Sequence, residues 1–295
     1  MEENMDKREI EQASNEAIRL RDMQLKMLET TKKIHEICEK HHLQYWLMYG
    51  SLLGAVRHNG FIPWDDDMDI MMPRKDHRKF MRIAHDELGE DYFFQTPLTD
   101  PNYDILHVPF KVRHNHSTLI EEYGKNYHQG AFVDIFAMDF MGSDEESFRK
   151  LHKKTSMLAS LKMKIDIHQL SGIKRYIRIC LQLLFKLIPT QTLFRYLQKK
   201  VDLVIDNDKN SRYGMKGIEF LEKDLYDLKD IFPLRLHKFE DCEFYIPNNA
   251  DKILTEYFGD YMKMPPKSKM KPHGLYYSDQ RFYDIPENKY ETKYR

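Results

Sequence analysis

Four acids in five residues, Asp65, Asp66, Asp67 and Asp69, stand directly before the apolar run "IMM". Along an extended chain alternate side chains share a face, so Asp65, Asp67 and Asp69 point one way while Asp66 and Met68 point the other. Carboxylates crowded at the edge of a buried sheet repel one another unless a cation joins them, and Mg²⁺ prefers hard oxygen ligands of this kind. The spacing predicts a divalent-ion site on Asp67 and Asp69, for Mg²⁺ with Mn²⁺ as the alternative, and a mild effect for Asp66→Asn. A further carboxylate is expected downstream, and "GAFVDIFAMD" supplies Asp134 between Val133 and Ile135. An unpaired charge in such a strand is costly. Asp134 therefore either shares the ion, caps a turn, or pairs with an Arg or Lys in the core.

A second element precedes the acids. In "YGSLLGAVRHNG" Ser51 occupies an N-cap position ahead of a short apolar helix, and Asn59-Gly60 reads as its end. Backbone N–H groups at a helix start favour phosphate, and Gly50 allows close approach, so phosphate and metal would meet in one pocket.

The elements that must hold these groups follow from periodicity. Leu20, Met23, Met27, Ile34 and Cys38 form one stripe, predicting an amphipathic helix over 14–40. "QYWLMYG" reads as a buried strand, "MDIMMP" as a second, and 74–88 as a helix. Short strands are expected near 105–113 and 131–137. A mostly helical stretch over 148–200 is broken at Ser171-Gly172 and Pro189, and "HKFEDCEFYIP" reads as a hairpin turning at Glu240-Asp241. Ile253, Leu254, Tyr257 and Phe258 mark a helix that Gly259 ends, and the polar tail beyond about 281 is expected to be loosely held.

The 295 residues suffice for a sizeable core, and three scattered cysteines argue against a disulfide framework or a zinc knuckle. With no signal-peptide pattern and no apolar run long enough to span a bilayer, a cytoplasmic protein is expected. The net charge of −1 hides an asymmetry: residues 149–200 hold thirteen Lys or Arg against one acid, Asp166. Within it Ile173, Ile177, Cys180, Leu181 and Leu184 make an apolar stripe beside Lys174, Arg175 and Arg178. Residues 171–200 therefore suit peripheral contact with the inner face of an anionic membrane, unless the stripe packs on the sheet. Nucleic acid is not an expected partner.

A strand, Gly-Ser, a helix and a strand bearing Asp-x-Asp resemble the active-site layout of the polymerase-β-like nucleotidyltransferase superfamily. The whole run "YGSLLGAVRHNGFIPWDDDMDIMMPRKD" is similar to the signature of the LicD family, related there to fukutin-type ribitol-phosphate transferases. "FKVRHNHSTLIE", "GAFVDIFAMD" and "YFGDYMKMPPKSKMKPHG" agree in order. The family commonly has a proline where this chain reads "VDIFAMD", which should reshape the following loop. The resemblance implies an α/β (α+β) fold: a nucleotidyltransferase-type mixed sheet flanked by helices. As one catalytic domain over 1–295, it divides into a core (1–147), a basic helical insert (148–212) and a part completing the site (213–280).

The implied activity is transfer of a phosphorylated alcohol, typically phosphocholine from CDP-choline. The acceptor is a hydroxyl of a cell-surface glycan, such as lipopolysaccharide or a teichoic-acid-type precursor, or of its lipid-linked form. CMP leaves. By the same resemblance Asp67 and Asp69 look like the metal ligands, Asp65 lies in or next to the shell, and Asp134 is the third carboxylate that orients or deprotonates the acceptor. Arg57, Lys111 and Arg113 are candidate phosphate contacts or salt-bridge partners. Trp64 and Tyr49 are candidates for choline's fixed charge, or core residues. Lys269 and His273 reach nucleotide or acceptor, unless 265–274 is a solvated turn. Rival readings are transfer of a nucleoside monophosphate with release of pyrophosphate, a nucleotide-sugar glycosyltransferase, and a non-enzymatic adaptor.

Overall fold

Leu20, Met23, Met27, Ile34 and Cys38 are all buried on one side of α1 (Lys7–His41), which packs across the central sheet. The computed structural model describes residues 7–121, 126–140, 145–162, 172–202, 215–216, 225–272, 274 and 276–281. After α1 come β1 (Trp46–Leu47), α2 (Tyr49–His58), β2 (Asp69–Pro73), α3 (Arg74–Leu88) and β3 (Tyr92–Gln95). Then follow β4 (Lys111–His114), β5 (Thr118–Ile120) and β6 (Phe132–Phe140). The sheet runs in the order β1-β2-β6-β4-β3, with β2 and β6 parallel and the other pairs antiparallel. All five residues of β2 and eight of nine in β6 are buried. Burial on both faces explains why these two segments read as near-continuous apolar runs rather than alternating ones. The short β3 and β5 went unseen in the sequence.

Helix α2 starts earlier than its sequence suggests. Its N-cap is Met48 rather than Ser51, because Tyr49 adopts a left-handed φ of 50° and turns the chain at once out of β1. Ser51 thus lies inside the first turn, where its hydroxyl accepts a hydrogen bond from the Asp69 backbone N–H at 2.8 Å. At the other end Asn59 takes the left-handed cap, with φ 53°.

The basic stretch forms α4 (Glu145–Ser160), α5 (Ile173–Lys186) and α6 (Thr190–Asp202); α4 ends before the expected break, Gly172 is the N-cap of α5, and Pro189 separates α5 from α6. Beyond them lie β7 (Met215–Lys216), which pairs with the end of β6, and α7 (Leu228–Ile231). The hairpin β8 (Arg235–Phe239) and β9 (Cys242–Ile246) turns at Glu240, and α8 (Ala250–Phe258) stops at Gly259. A 3₁₀ turn at Lys267–Lys269 leads to β10 (Tyr276–Ser278), which pairs antiparallel with β5. The carboxyl-terminal segment therefore returns to β5, in a two-stranded sheet separate from the one that carries the acids. The expected loose tail lies outside the described residues.

A buried ion pair ties α3 to the far end of β6: Arg74 Nε and a terminal nitrogen each reach an Asp139 carboxylate oxygen at 2.8 Å. Removing one partner strands the other charge in a dry environment. Arg74→Ala should lower stability by about 3–5 kcal/mol, read as the shift of a denaturant unfolding curve.

Candidate active site

The parallel register of β2 and β6 sets Asp69 directly opposite Asp134, on neighbouring strands about 4.8 Å apart. Residues 65–68 are an extended loop rather than part of the strand, but the alternation holds. Asp65, Asp67 and Asp69 line a cleft together with Asp134, while Met68 is fully buried on the other side. Asp66 also turns away, as its position dictates, yet it is not idle. It is buried and accepts hydrogen bonds from the Gly274 N–H and, at 2.7 Å, from the Tyr277 hydroxyl. The expected mildness of a change at Asp66 overlooks this role, because the partners lie about two hundred residues away.

Other distant segments hold the same loop. Gln24 on α1 donates to the carbonyl oxygens of Ile62 at 3.2 Å and Asp65 at 2.9 Å. Glu240, at the hairpin turn, accepts from the Phe61 N–H at 3.2 Å and is gripped by Arg21 at 2.7 Å. Gly50 provides the remaining space: a Cβ there would lie 2.7 Å from Asp65 Oδ2, closer than real side chains approach. Any larger residue there would have to displace the Asp65 carboxylate.

The crowding shows in the electrostatics. Burial, reinforced by Asp67, pushes the Asp65 carboxyl up to about 8. Burial followed by repulsion from Asp67 and Asp134 holds Asp69 well above the ordinary range. Burial raises Asp134 to about 6 against the opposing pull of Lys111. Lys111 Nζ lies 2.7 Å from Asp134 Oδ1 and 3.4 Å from Glu121, over the Phe132 ring at 3.5 Å. So Asp134 both adjoins Asp69 and pairs with a core lysine. The oxygen donors suit a hard cation, which would relieve the repulsion. Among the described residues, however, no three acidic, histidine or cysteine side chains already stand in the arrangement of a metal site.

The cleft has a volume of about 720 Å³. Tyr49 and Trp64 line it, and Tyr49 also meets the rings of Tyr257 at 5.1 Å and Phe136 at 5.8 Å. Arg57 faces it too, donating to the Tyr261 carbonyl at 2.7 Å and to His58 at 2.9 Å. Tyr257, Phe258, Tyr261 and Lys263, from the end of α8 and the turn after it, complete the wall. They escaped the sequence reading as site residues, since their helical spacing speaks only of packing.

Lys111 and Arg113 are not among the lining residues. Arg113 is fully buried and spends its donors on Gln95 at 2.7 Å, the Gly130 carbonyl at 3.0 Å and Glu121 at 2.8 Å. The geometry makes it a salt-bridge partner, not a phosphate contact. Lys269 is exposed in the 3₁₀ turn and is not among the lining residues, and His273 lies outside the described residues.

Residues 42–157 match the LicD/FKTN/FKRP nucleotidyltransferase domain. The chain carries a nucleotidyltransferase domain of the LicD family. Over 269 residues, 87% of this chain and 96% of the relative, it is 29% identical to lipopolysaccharide cholinephosphotransferase LicD of Haemophilus influenzae. It is 32% identical to ribitol 5-phosphate transferase FKRP of Homo sapiens over 102 residues, 29% of this chain and 20% of that protein. Both relatives are transferases. The LicD-family match runs from the turn before β1 into α4 and contains Asp67, Asp69 and Asp134, whereas the aromatic wall from α8 lies beyond it.

Because Asp66 is the acceptor for the carboxyl-terminal segment, Asp66→Ala should free that segment at about 1.5–3 kcal/mol per lost bond to the charged group. Limited trypsin digestion should then cut between Lys263 and Arg281 well before it does so in the parent protein. An unchanged cleavage rate would show that the segment is held by other contacts.

Proposed function

We propose that the chain moves a phosphorylated alcohol, phosphocholine in the first instance, from a CDP-alcohol to a hydroxyl of a cell-surface glycan or its lipid-linked precursor, releasing CMP. The observation that carries this reading is one cleft in which Asp65, Asp67, Asp69 and Asp134 face an aromatic wall. Acids gathered on one side suit a cation-bound diphosphate, and ring faces on the other suit a quaternary ammonium, which has no proton to donate. The activities of the two relatives, both transfers of phosphorylated alcohols, agree in kind.

Within this reading Asp67 and Asp69 would hold Mg²⁺ or Mn²⁺, with Asp65 beside them, and the ion when bound would neutralise charge on the departing CMP. The chain's own groups do the rest. Gly50 keeps the helix start open for the diphosphate, and Arg57 adds a positive charge on the same wall. Trp64, Tyr49 and Tyr257 offer their faces to the choline. Asp134 orients the acceptor hydroxyl and takes its proton, a contribution of about 10²-fold to 10⁴-fold for a general base. Lys111 keeps that carboxylate pointed and ionised through the 2.7 Å contact. The three cysteines stand unpaired, in keeping with a cytoplasmic enzyme meeting its nucleotide donor in a reducing compartment.

The second reading, transfer of a nucleoside monophosphate from an NTP, draws on the same acids and on the nucleotidyltransferase character of the matched domain. Products separate the two. Incubation with a panel of CDP-alcohols and with NTPs, each with Mg²⁺ and with Mn²⁺, should yield CMP from CDP-choline and no pyrophosphate from any NTP, as read by mass spectrometry. Pyrophosphate alone would overturn the proposal. Asp67→Asn or Asp69→Asn should abolish CMP release while leaving the thermal midpoint unchanged or raised, since each removes one crowded carboxylate. Turnover near that of the parent protein in either variant would remove these residues from the chemistry.

A further inference from the structure

The apolar stripe of α5 faces outward. Ile173, Tyr176, Ile177, Leu181, Leu184 and Leu187 are between 39% and 81% exposed, and their spacing places them on one side of the helix and just past its end. The opposite side meets the protein: Arg178 donates to the Ser160 carbonyl at 2.6 Å, and Phe185 packs against the core. A surface helix ordinarily buries its apolar stripe and wets its polar one, so α5 is turned inside out. Its neighbour is conventional. Leu193, Phe194 and Leu197 of α6 are buried, with the Phe194 ring 5.6 Å from Phe110 beneath β4 and α3. The elbow at Pro189 therefore has one arm rooted in the core and one arm presented.

We propose that α5 is an interfacial helix that docks the protein on an anionic lipid bilayer, with its stripe in the boundary between headgroups and acyl chains. The charge pattern selects this occupant. Residues 172–201 contain seven Lys or Arg and no acid, so anionic headgroups complement the segment. A second copy would instead set like charges against each other. Lying on the surface also fits the dimensions. No single helix among the described residues is long and apolar enough to cross a membrane. Together α5 and α6 have the length and composition of a span, but they meet at 102° and α6 is committed to the core. Alone, α5 has 14 residues, about 21 Å at 1.5 Å per residue against about 30 Å of hydrocarbon. The inference does not depend on which group the cleft transfers.

The test uses the full chain and the double variant Ile177→Glu/Leu184→Glu, co-sedimented with phosphatidylglycerol-containing vesicles and with pure phosphatidylcholine vesicles. Binding to the anionic vesicles should exceed binding to the neutral ones by about tenfold and weaken when salt is raised to about 0.5 M. The variant should lose it while keeping the circular dichroism spectrum and thermal midpoint of the parent protein. Equal, negligible binding to both vesicle types overturns the inference, and so does a variant that still binds. Size-exclusion chromatography supplies the remaining outcome: a dimer that the variant dissociates, without vesicle binding, assigns the face to a second copy and also overturns it.

Discussion

Negative charges brought together out of water repel one another, and this chain gathers four of them along one edge of its sheet. The register between β2 and β6, which faces Asp69 with Asp134, makes that crowding unavoidable. Much of the surrounding structure answers it. Lys111 enters from β4, directly opposite Asp134 in the neighbouring pair, and supplies positive charge where the sheet is driest. Glu121 and Arg113 extend the compensation, so the lysine and the arginine are both shared rather than stranded. A charged cluster of this kind adds little stability by itself, because desolvation offsets attraction.

The acid loop has no regular structure of its own between α2 and β2, and it is held from outside. Contacts from α1, from the hairpin turn at Glu240, from Ser51 and from the carboxyl-terminal segment converge on residues 61–69. Each is local in strength, about 1 kcal/mol for a neutral hydrogen bond and more for those to charge. Together they fix the backbone in the position that strand geometry alone would not maintain. Pre-positioning of this kind is what the proposed transfer would ask of the protein, since little covalent work would fall to the side chains.

The cleft is a composite. Its acidic wall belongs to the region matched to the LicD family, and its aromatic wall comes from α8 and the turn that follows. The two walls thus come from segments far apart in the chain and meet only in the folded protein. The outward-facing α5 lies on a third segment, separate from both walls.

Features encoded locally were legible in the amino-acid order. The α1 stripe, the limits of α3, the start of α5 at Gly172, the break at Pro189 and the hairpin at Glu240 follow from periodicity, glycine and proline, which act within a few residues. The spacing of Asp65, Asp67 and Asp69 likewise determined which acids share a face, whether the backbone there is strand or extended loop. What the tertiary structure alone decided depends on partners remote in the chain. It turned the candidate phosphate ligand Arg113 into a buried scaffold for Glu121, Gln95 and Gly130, and it made Asp66 an anchor for Gly274 and Tyr277. It put Tyr257 and Tyr261 in the cleft and turned the stripe of α5 to the outside. Periodicity establishes that a helix has an apolar face; which neighbour covers it, or whether any does, is set by packing among segments that no local pattern connects.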